Sequence, residues 1–149
     1  VIFGEDDAFI NLFARLQAIA PLVPLAGAHT RFQPVWVQDV AQAMVHALQQ
    51  RDTIGQIYEL AGPQIFTLKE LVQHAGRWAG HPRPVLALPE AMTYLQDLVM
   101  EMLPGPPLMS RDNLASMQVD NIASGELPGL VELGVATAAR LDSVFALPA

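Results

Sequence analysis

The chain has 149 residues, 52% of them hydrophobic, and its 15 acidic against 8 basic residues give a net charge of −7. This length suits one domain or one lobe of a larger protein, and the apolar content excludes a disordered chain. An acidic chain with a single lysine, Lys69, is poorly suited to the phosphate backbone of nucleic acid. The absence of cysteine excludes disulfides and thiolate metal sites. The longest stretch without Asp, Glu, Lys or Arg, residues 16–30, contains two prolines, so no transmembrane helix is predicted. No basic segment opens the sequence, so no signal peptide is predicted.

Helices are predicted where apolar residues recur every three or four positions. Six segments show this pattern or a capping signal: residues 6–20, 39–51, 67–79, 90–102, 110–117 and 137–145. Thr67 and Glu70 have the spacing of a capping box. Asp39 is the predicted N-cap of the second helix, with Gln42 completing a capping box, and Val40, Ala43, Met44, Ala47 and Leu48 are its predicted apolar face.

Short apolar runs between these helices predict strands at residues 1–3, 30–37, 57–61 and 85–88. Prolines and glycines predict loops at residues 21–27 and 120–129. The alternation indicates an α/β fold with short strands and five or six helices, occupying residues 1–149 as a single unit. The chain opens on Val1 in the middle of an apolar run rather than on Met, so we expect further sequence upstream.

The pattern of reactive residues predicts no catalytic residue and no metal site. The histidines His29, His46, His74 and His81 lack the spacing of a metal motif, and no serine lies in a nucleophile-elbow context. Neither a G-x-G-x-x-G nor a Walker A pattern occurs.

Three segments resemble extended and atypical short-chain dehydrogenases, the NAD-dependent epimerase/dehydratase superfamily. Residues 1–7 resemble the "VFGPxD" segment, and residues 31–41 resemble the "R-x-x-x-V-x-V-x-D-V-A" strand-to-helix segment. Residues 58–71 are similar to the "YELGGP…TLREL" stretch. The glycine-rich nucleotide loop and the Tyr-x-x-x-Lys pair of that superfamily are absent.

Within the superfamily, the closest resemblance is to the NAD(P)H-binding accessory subunit of respiratory complex I and its bacterial relatives. Residues 31–39, 104–114 ("PGPPLMSRDNL") and 120–134 ("DNIASGELPGLVELG") match that subgroup. One departure is Ala136, where the subgroup usually has a proline before the threonine. The resemblance implies the C-terminal lobe of a Rossmann-type short-chain dehydrogenase, with the nucleotide-binding half upstream of Val1.

The resemblance also implies binding residues. Val1, Ile2, Phe3 and Gly4 would line the nicotinamide edge of an NAD or NADP held by the longer protein, and no cofactor is expected on this chain alone. Arg31 matches the arginine that epimerases place on the substrate diphosphate, and Asn11 matches a substrate-contacting asparagine. The alternatives are an exposed helical asparagine and a surface arginine paired with a carboxylate such as Asp39.

Two functions follow from the resemblance. One is the substrate- or partner-facing lobe of an NAD(P)-binding subunit of a respiratory complex; the other is the substrate lobe of an active epimerase or reductase acting on a nucleotide-sugar or other small anionic substrate. This chain alone is predicted inactive. Its expected partners are the missing half, a small anionic substrate or respiratory-complex subunits, and a second copy of itself. The expected location is cytoplasmic, with a peripheral position at the inner membrane as the alternative.

Overall fold

The computed structural model describes residues 1–89 and 119–145. Six short strands lie in this part of the chain: β1 (Ile2–Phe3), β2 (Val23–Leu25), β3 (Arg31–Phe32), β4 (Val35–Trp36), β5 (Phe66–Thr67) and β6 (Val85–Ala87). Four α-helices accompany them: α1 (Ala8–Ile19), α2 (Val37–Gln49), α3 (Leu68–Trp78) and α4 (Leu141–Val144). A 3₁₀ turn covers Arg51–Thr53. The predicted α/β fold with short strands is confirmed, and the helices predicted at 90–102 and 110–117 lie outside the described residues.

The strands pair two by two over long sequence separations. β1 and β2 lie parallel to β4 and β6, respectively, whereas β3 and β5 are antiparallel. The parallel pairing of β1 with β4 matters most for the site, because both strands then end on the same side and each leads into a helix.

The main core lies between α1 and α3. Periodic apolar residues of both helices pack against the strands and α4, and its fully buried members include Phe13, Val23, Leu68 and Val72. Burial of each such side chain contributes roughly 1.5–3 kcal/mol of transfer free energy. This confirms the periodicity predicted for residues 6–20 and 67–79 except at their ends, where Ile19 and Ala79 are exposed.

A smaller core attaches α2 to the C-terminal loop. Val40 and Ala43 of α2 pack with Leu130, Leu133 and Val135. His46 Nδ1 lies 2.6 Å from the carbonyl oxygen of Leu133 and reinforces the same contact.

The start of α2 differs from its prediction. The helix begins at Val37 with Trp36 as an N-cap that has no side-chain bond, so Asp39 lies inside the first turn. The Asp39 carboxylate is buried and accepts a hydrogen bond from the backbone N–H of Ala139 at 2.7 Å. The predicted N-cap and capping box at Asp39 and Gln42 are therefore wrong, because a backbone group 100 residues away takes the carboxylate.

Four other predictions are corrected. The strand at residues 30–37 divides into β3 and β4, which pair with different partners, and the loop at 21–27 contains β2. Residues 57–61 are not a strand, since the backbone N–H of Glu59 bonds to Pro128 instead of entering a ladder. The final helix is limited to Leu141–Val144.

Candidate functional site

A groove of about 610 Å³ lies at the carboxyl ends of β1 and β4. We call it the strand-end groove. Its walls are residues 2–8, residues 36–38 and Val144. Open α/β sheets bind ligands where parallel strands end and helices begin, and this groove occupies that position.

Three of the four predicted cofactor residues line the strand-end groove: Ile2, Phe3 and Gly4. Phe3 is buried, whereas the Ile2 side chain is 53% exposed. The two walls pack closely at Gly4, since a Cβ there would lie 3.0 Å from Val37 Cγ1 on the opposite wall and would force that side chain to shift.

Val1, the fourth predicted cofactor residue, is not among the residues that line the groove. Its backbone nitrogen donates to Asn121 Oδ1 at 2.9 Å, and its carbonyl accepts from Val35 at 3.0 Å. Both contacts hold β1 against its neighbours.

The charge of the strand-end groove is one-sided. Glu5, Asp6 and Asp7 lie along it, and none of the described residues in its walls is basic. The N-terminus of α2 also faces it through Val37 and Gln38 and has no side-chain cap. The acidic wall disfavours a phosphate, whereas the backbone groups suit an uncharged amide or hydroxyl.

Asp7 is a groove residue that the sequence patterns did not single out. It caps α1 by accepting from the backbone N–H of Ile10 at 2.6 Å, and its second oxygen, Oδ2, is buried without a hydrogen-bond partner. Burial raises the pKa of Asp7 above its ordinary value of 3.8, although backbone N–H groups oppose the shift. The available signal was its position immediately before an amphipathic helix.

Asn11 lies in a neighbouring groove of about 390 Å³ that shares residues 5–8 with the strand-end groove. Its Nδ2 donates to the carbonyls of Glu5 and Asp7 at 2.8 and 2.9 Å. The asparagine thus ties the turn between β1 and α1 to the helix. Its predicted contact with substrate stays a prediction.

Arg31 lies outside both grooves. Its Nε and Nη2 contact Asp120 Oδ2 at 2.9 and 2.7 Å, and its backbone N–H donates to Asp120 Oδ1 at 2.8 Å. These bonds hold the pKa of Asp120 below its usual range, and the bond from the backbone N–H of Arg31 has the largest effect. The carboxylate partner is therefore Asp120 rather than Asp39, and the predicted substrate contact of Arg31 is not tested by this arrangement.

A second polar contact that the sequence did not predict fixes the loop beside Arg31. Gln33 donates from Nε2 to the carbonyl of Gly62 at 2.8 Å and accepts at Oε1 from the N–H of Ala123 at 3.0 Å. One glutamine side chain therefore joins two segments that are more than 60 residues apart in sequence.

Two negative findings apply to residues 1–89 and 119–145. No group of His, Asp and Glu there could hold a metal ion. None of the helices in these ranges is sufficiently long and apolar to cross a membrane.

Curated proteins similar to this chain include NADH dehydrogenase (ubiquinone) 1 alpha subcomplex subunit 9 of mitochondria. The chain is 30% identical over 136 residues to the protein of Mus musculus, a match that covers 90% of the chain and 36% of that protein. The chain thus spans about a third of the length of such relatives. No family model matches it.

Solved structures of similar fold include epimerases and reductases. An epimerase of Burkholderia cenocepacia J2315 superposes with a TM-score of 0.51 and 20% identity, covering 97% of this chain and 41% of that one. A dTDP-4-dehydrorhamnose reductase of Bacillus anthracis, solved in complex with NADP, superposes with a TM-score of 0.50 and 13% identity. The match covers 89% of this chain and 42% of that one. These two likenesses show the fold, which is the one that the sequence resemblance implied.

Proposed function

We propose that this chain, a relative of the complex I alpha subcomplex subunit 9 proteins built on the fold of the epimerases and reductases, is the C-terminal lobe of an NAD(P)-binding atypical short-chain dehydrogenase. In this proposal a nucleotide-binding half lies upstream of Val1, and the lobe faces the substrate or a protein partner. The relatives support the proposal because they are about three times as long as the matched region.

The strand-end groove is the observation that carries the proposal. Ile2, Phe3 and Gly4 form one wall, and the start of α2 at Val37 and Gln38 forms the other. The dinucleotide would place its nicotinamide end here, where backbone groups can bind the uncharged carboxamide of the ring. Glu5 and Asp6 would repel the pyrophosphate, which a glycine-rich loop of the other half would hold.

The proposed partners follow from the curated relatives, which are subunits of NADH dehydrogenase. We propose docking on a respiratory complex, with a cytoplasmic location and, as the alternative, a peripheral position at the inner membrane. Arg31 and Asn11 remain the proposed contacts to a small anionic substrate, Arg31 because a guanidinium can bind two phosphate oxygens at once.

Saturation-transfer NMR of the 149-residue chain with NADH tests the groove. We expect a dissociation constant in the millimolar range, with transfer to the nicotinamide protons rather than to those of adenine. In the amide spectrum of the protein, NADH should shift Gly4 and Val37. A micromolar dissociation constant would contradict the proposal, since nothing in the groove holds a pyrophosphate. Absence of transfer at millimolar NADH, or shifts confined to the region of Glu59 and Gly129, would equally count against it.

A matched pair of variants controls the experiment. Ile2→Ala removes apolar surface from the wall of the groove and should weaken the transfer to nicotinamide. Ile57→Ala truncates the same side chain at a position that is 70% exposed and outside the groove, so it should leave the transfer unchanged.

A further inference from the structure

Helix α2 has an exposed apolar stripe that lies beside its buried residues. Val37 is 42% exposed, Met44 58% and Leu48 88%, and Ala41 is exposed between them. The four residues are spaced by four, three and four positions, the spacing by which one helix packs against another. We call residues 37, 41, 44 and 48 the α2 seam.

The exposed polar residues of α2 beside the seam are uncharged. The polar residues at positions 38, 42, 49 and 50 are glutamines, and the one acidic residue of α2, Asp39, is buried against Ala139. In a chain with a net charge of −7, the exposed positions of α2 carry no acidic side chain towards a second copy, and the acidic residues 5–7 lie only beside its Val37 end.

We propose that the α2 seam is a two-fold interface between two copies of this chain, with their α2 helices antiparallel. In that register Leu48 packs against Val37 of the partner subunit, and Met44 packs against Ala41 of the partner subunit. Each large side chain then meets a smaller one, and the same contacts occur twice, as a two-fold interface requires. This self-complementarity favours a second copy over an unrelated helix.

An anionic membrane surface is a poorer occupant of the same stripe. Helix α2 carries neither lysine nor arginine, and its one histidine, His46, is held by Leu133. Amphipathic helices that lie on such membranes have basic residues beside the apolar face.

The interface would reach the strand-end groove. Val37 belongs both to the seam and to the wall of the groove. Leu48 of the partner subunit, seated on Val37, would therefore form part of the groove rim.

Light scattering coupled to size exclusion tests the proposal at tens of micromolar. We expect a mass of twice 16.2 kDa, and a monomer for Leu48→Glu because the charge enters the seam twice. Ile19→Glu is the matched control, since Ile19 is 65% exposed at the end of α1, and it should remain dimeric. A monomeric parent chain, or a dimer that Leu48→Glu leaves intact, would overturn the proposal.

Cross-linking tests the antiparallel register, and the cysteine-free chain provides a clean background. Mixed under oxidation, Val37→Cys and Leu48→Cys chains should form a disulfide-linked heterodimer, whereas each variant alone should not link to itself. Self-linking of Leu48→Cys would indicate parallel helices and overturn the proposed register. Circular dichroism of each variant verifies that the fold is retained.

Discussion

Gln17 of α1 donates from Nε2 to the carbonyl of Val72 in α3 at 2.7 Å, inside the main core. The glutamine is fully buried, and its Oε1 accepts from the N–H of Arg83 at 3.2 Å. One polar side chain therefore joins α1, α3 and the segment before β6. Its partners satisfy the carboxamide, so its burial does not incur the full cost of an unpaired polar group.

This arrangement predicts the effect of a methyl group at Gly76. A Cβ at that position would overlap the Gln17 carboxamide, so Gly76→Ala should lower the free energy of unfolding by about 1–3 kcal/mol despite its better helix propensity. Urea denaturation measures the change. In the Gln17→Ala background the same substitution should cost much less, and equal costs in both backgrounds would contradict the steric explanation.

The capping box of α3 predicts a stability change and a pH dependence. Thr67→Ala should cost roughly 1 kcal/mol, because the backbone N–H of Glu70 loses its acceptor. Hydrogen bonds from the N–H and the hydroxyl of Thr67 lower the pKa of Glu70 below 4.5. The stabilisation by Glu70 is therefore complete above pH 4.5, and it is lost as the pH falls through the pKa that Glu70 has in the folded chain.

Glu70→Gln provides the corresponding measurement. Its unfolding free energy should vary less than that of the parent chain across the acidic range below 4.5. Identical pH profiles of the two proteins would show that the carboxylate does not carry this dependence.

Asp7 should have the opposite pH dependence. Because burial raises its pKa above 3.8, the folded chain retains the proton longer than the unfolded chain does. The stability that protonated Asp7 contributes is present below pH 3.8, and it is lost as the pH rises through the pKa that Asp7 has in the folded chain. Asp7→Asn keeps an oxygen for the N–H of Ile10 and removes the buried charge, so its advantage over the parent should grow towards neutral pH.

Thermal denaturation at acidic and neutral pH measures this advantage. Asp6→Asn removes one negative charge from the same turn, where the side chain is exposed, and serves as the control. A gain of equal size for the two variants would mean that net charge, rather than burial of Asp7, is responsible.

The Arg31–Asp120 pair should contribute little to stability. The two side chains are 55% and 40% exposed, so a double-mutant cycle with Arg31→Ala and Asp120→Asn should give a coupling energy close to zero. A much larger coupling would identify Arg31 as a structural ion-pair residue.

In the proposed longer protein, Arg31→Ala removes a guanidinium that can bind an anion at two points. It should weaken binding of an anionic substrate by about 2–3 kcal/mol, with an almost unchanged melting temperature.

Local signals predicted those parts of the fold that depend on neighbouring residues. The capping box at Thr67 and the apolar periodicity of α1 need only residues three or four positions apart, and both are confirmed. Strand β2 could not be predicted in the same way, because Pro24 is typical of a loop. The strand forms through its pairing with Val85–Ala87, about 60 residues further along the chain. Proline is compatible with such a short outer ladder.

The candidate site shows the same division. The resemblance identified Ile2, Phe3 and Gly4, whereas the opposite wall at Val37 depends on where α2 begins. At that start the Asp39 carboxylate binds the backbone N–H of Ala139 instead of capping the helix, and local sequence does not indicate this contact. The predicted apolar face of α2 is likewise divided: Val40 and Ala43 are buried, but Met44 and Leu48 face solvent.

The position of Asn121 has a consequence for synthesis on the ribosome. Its backbone N–H donates to the Arg31 carbonyl, its carbonyl accepts from Gln33, and its side chain accepts from the Val1 nitrogen. The hydrogen bonds of these early residues therefore form only after Asn121 has been translated, 120 positions after Val1. At about 5–20 residues per second the delay is on the order of ten seconds, during which β3 and the nitrogen of Val1 lack these partners and are open to chaperones and to other nascent chains.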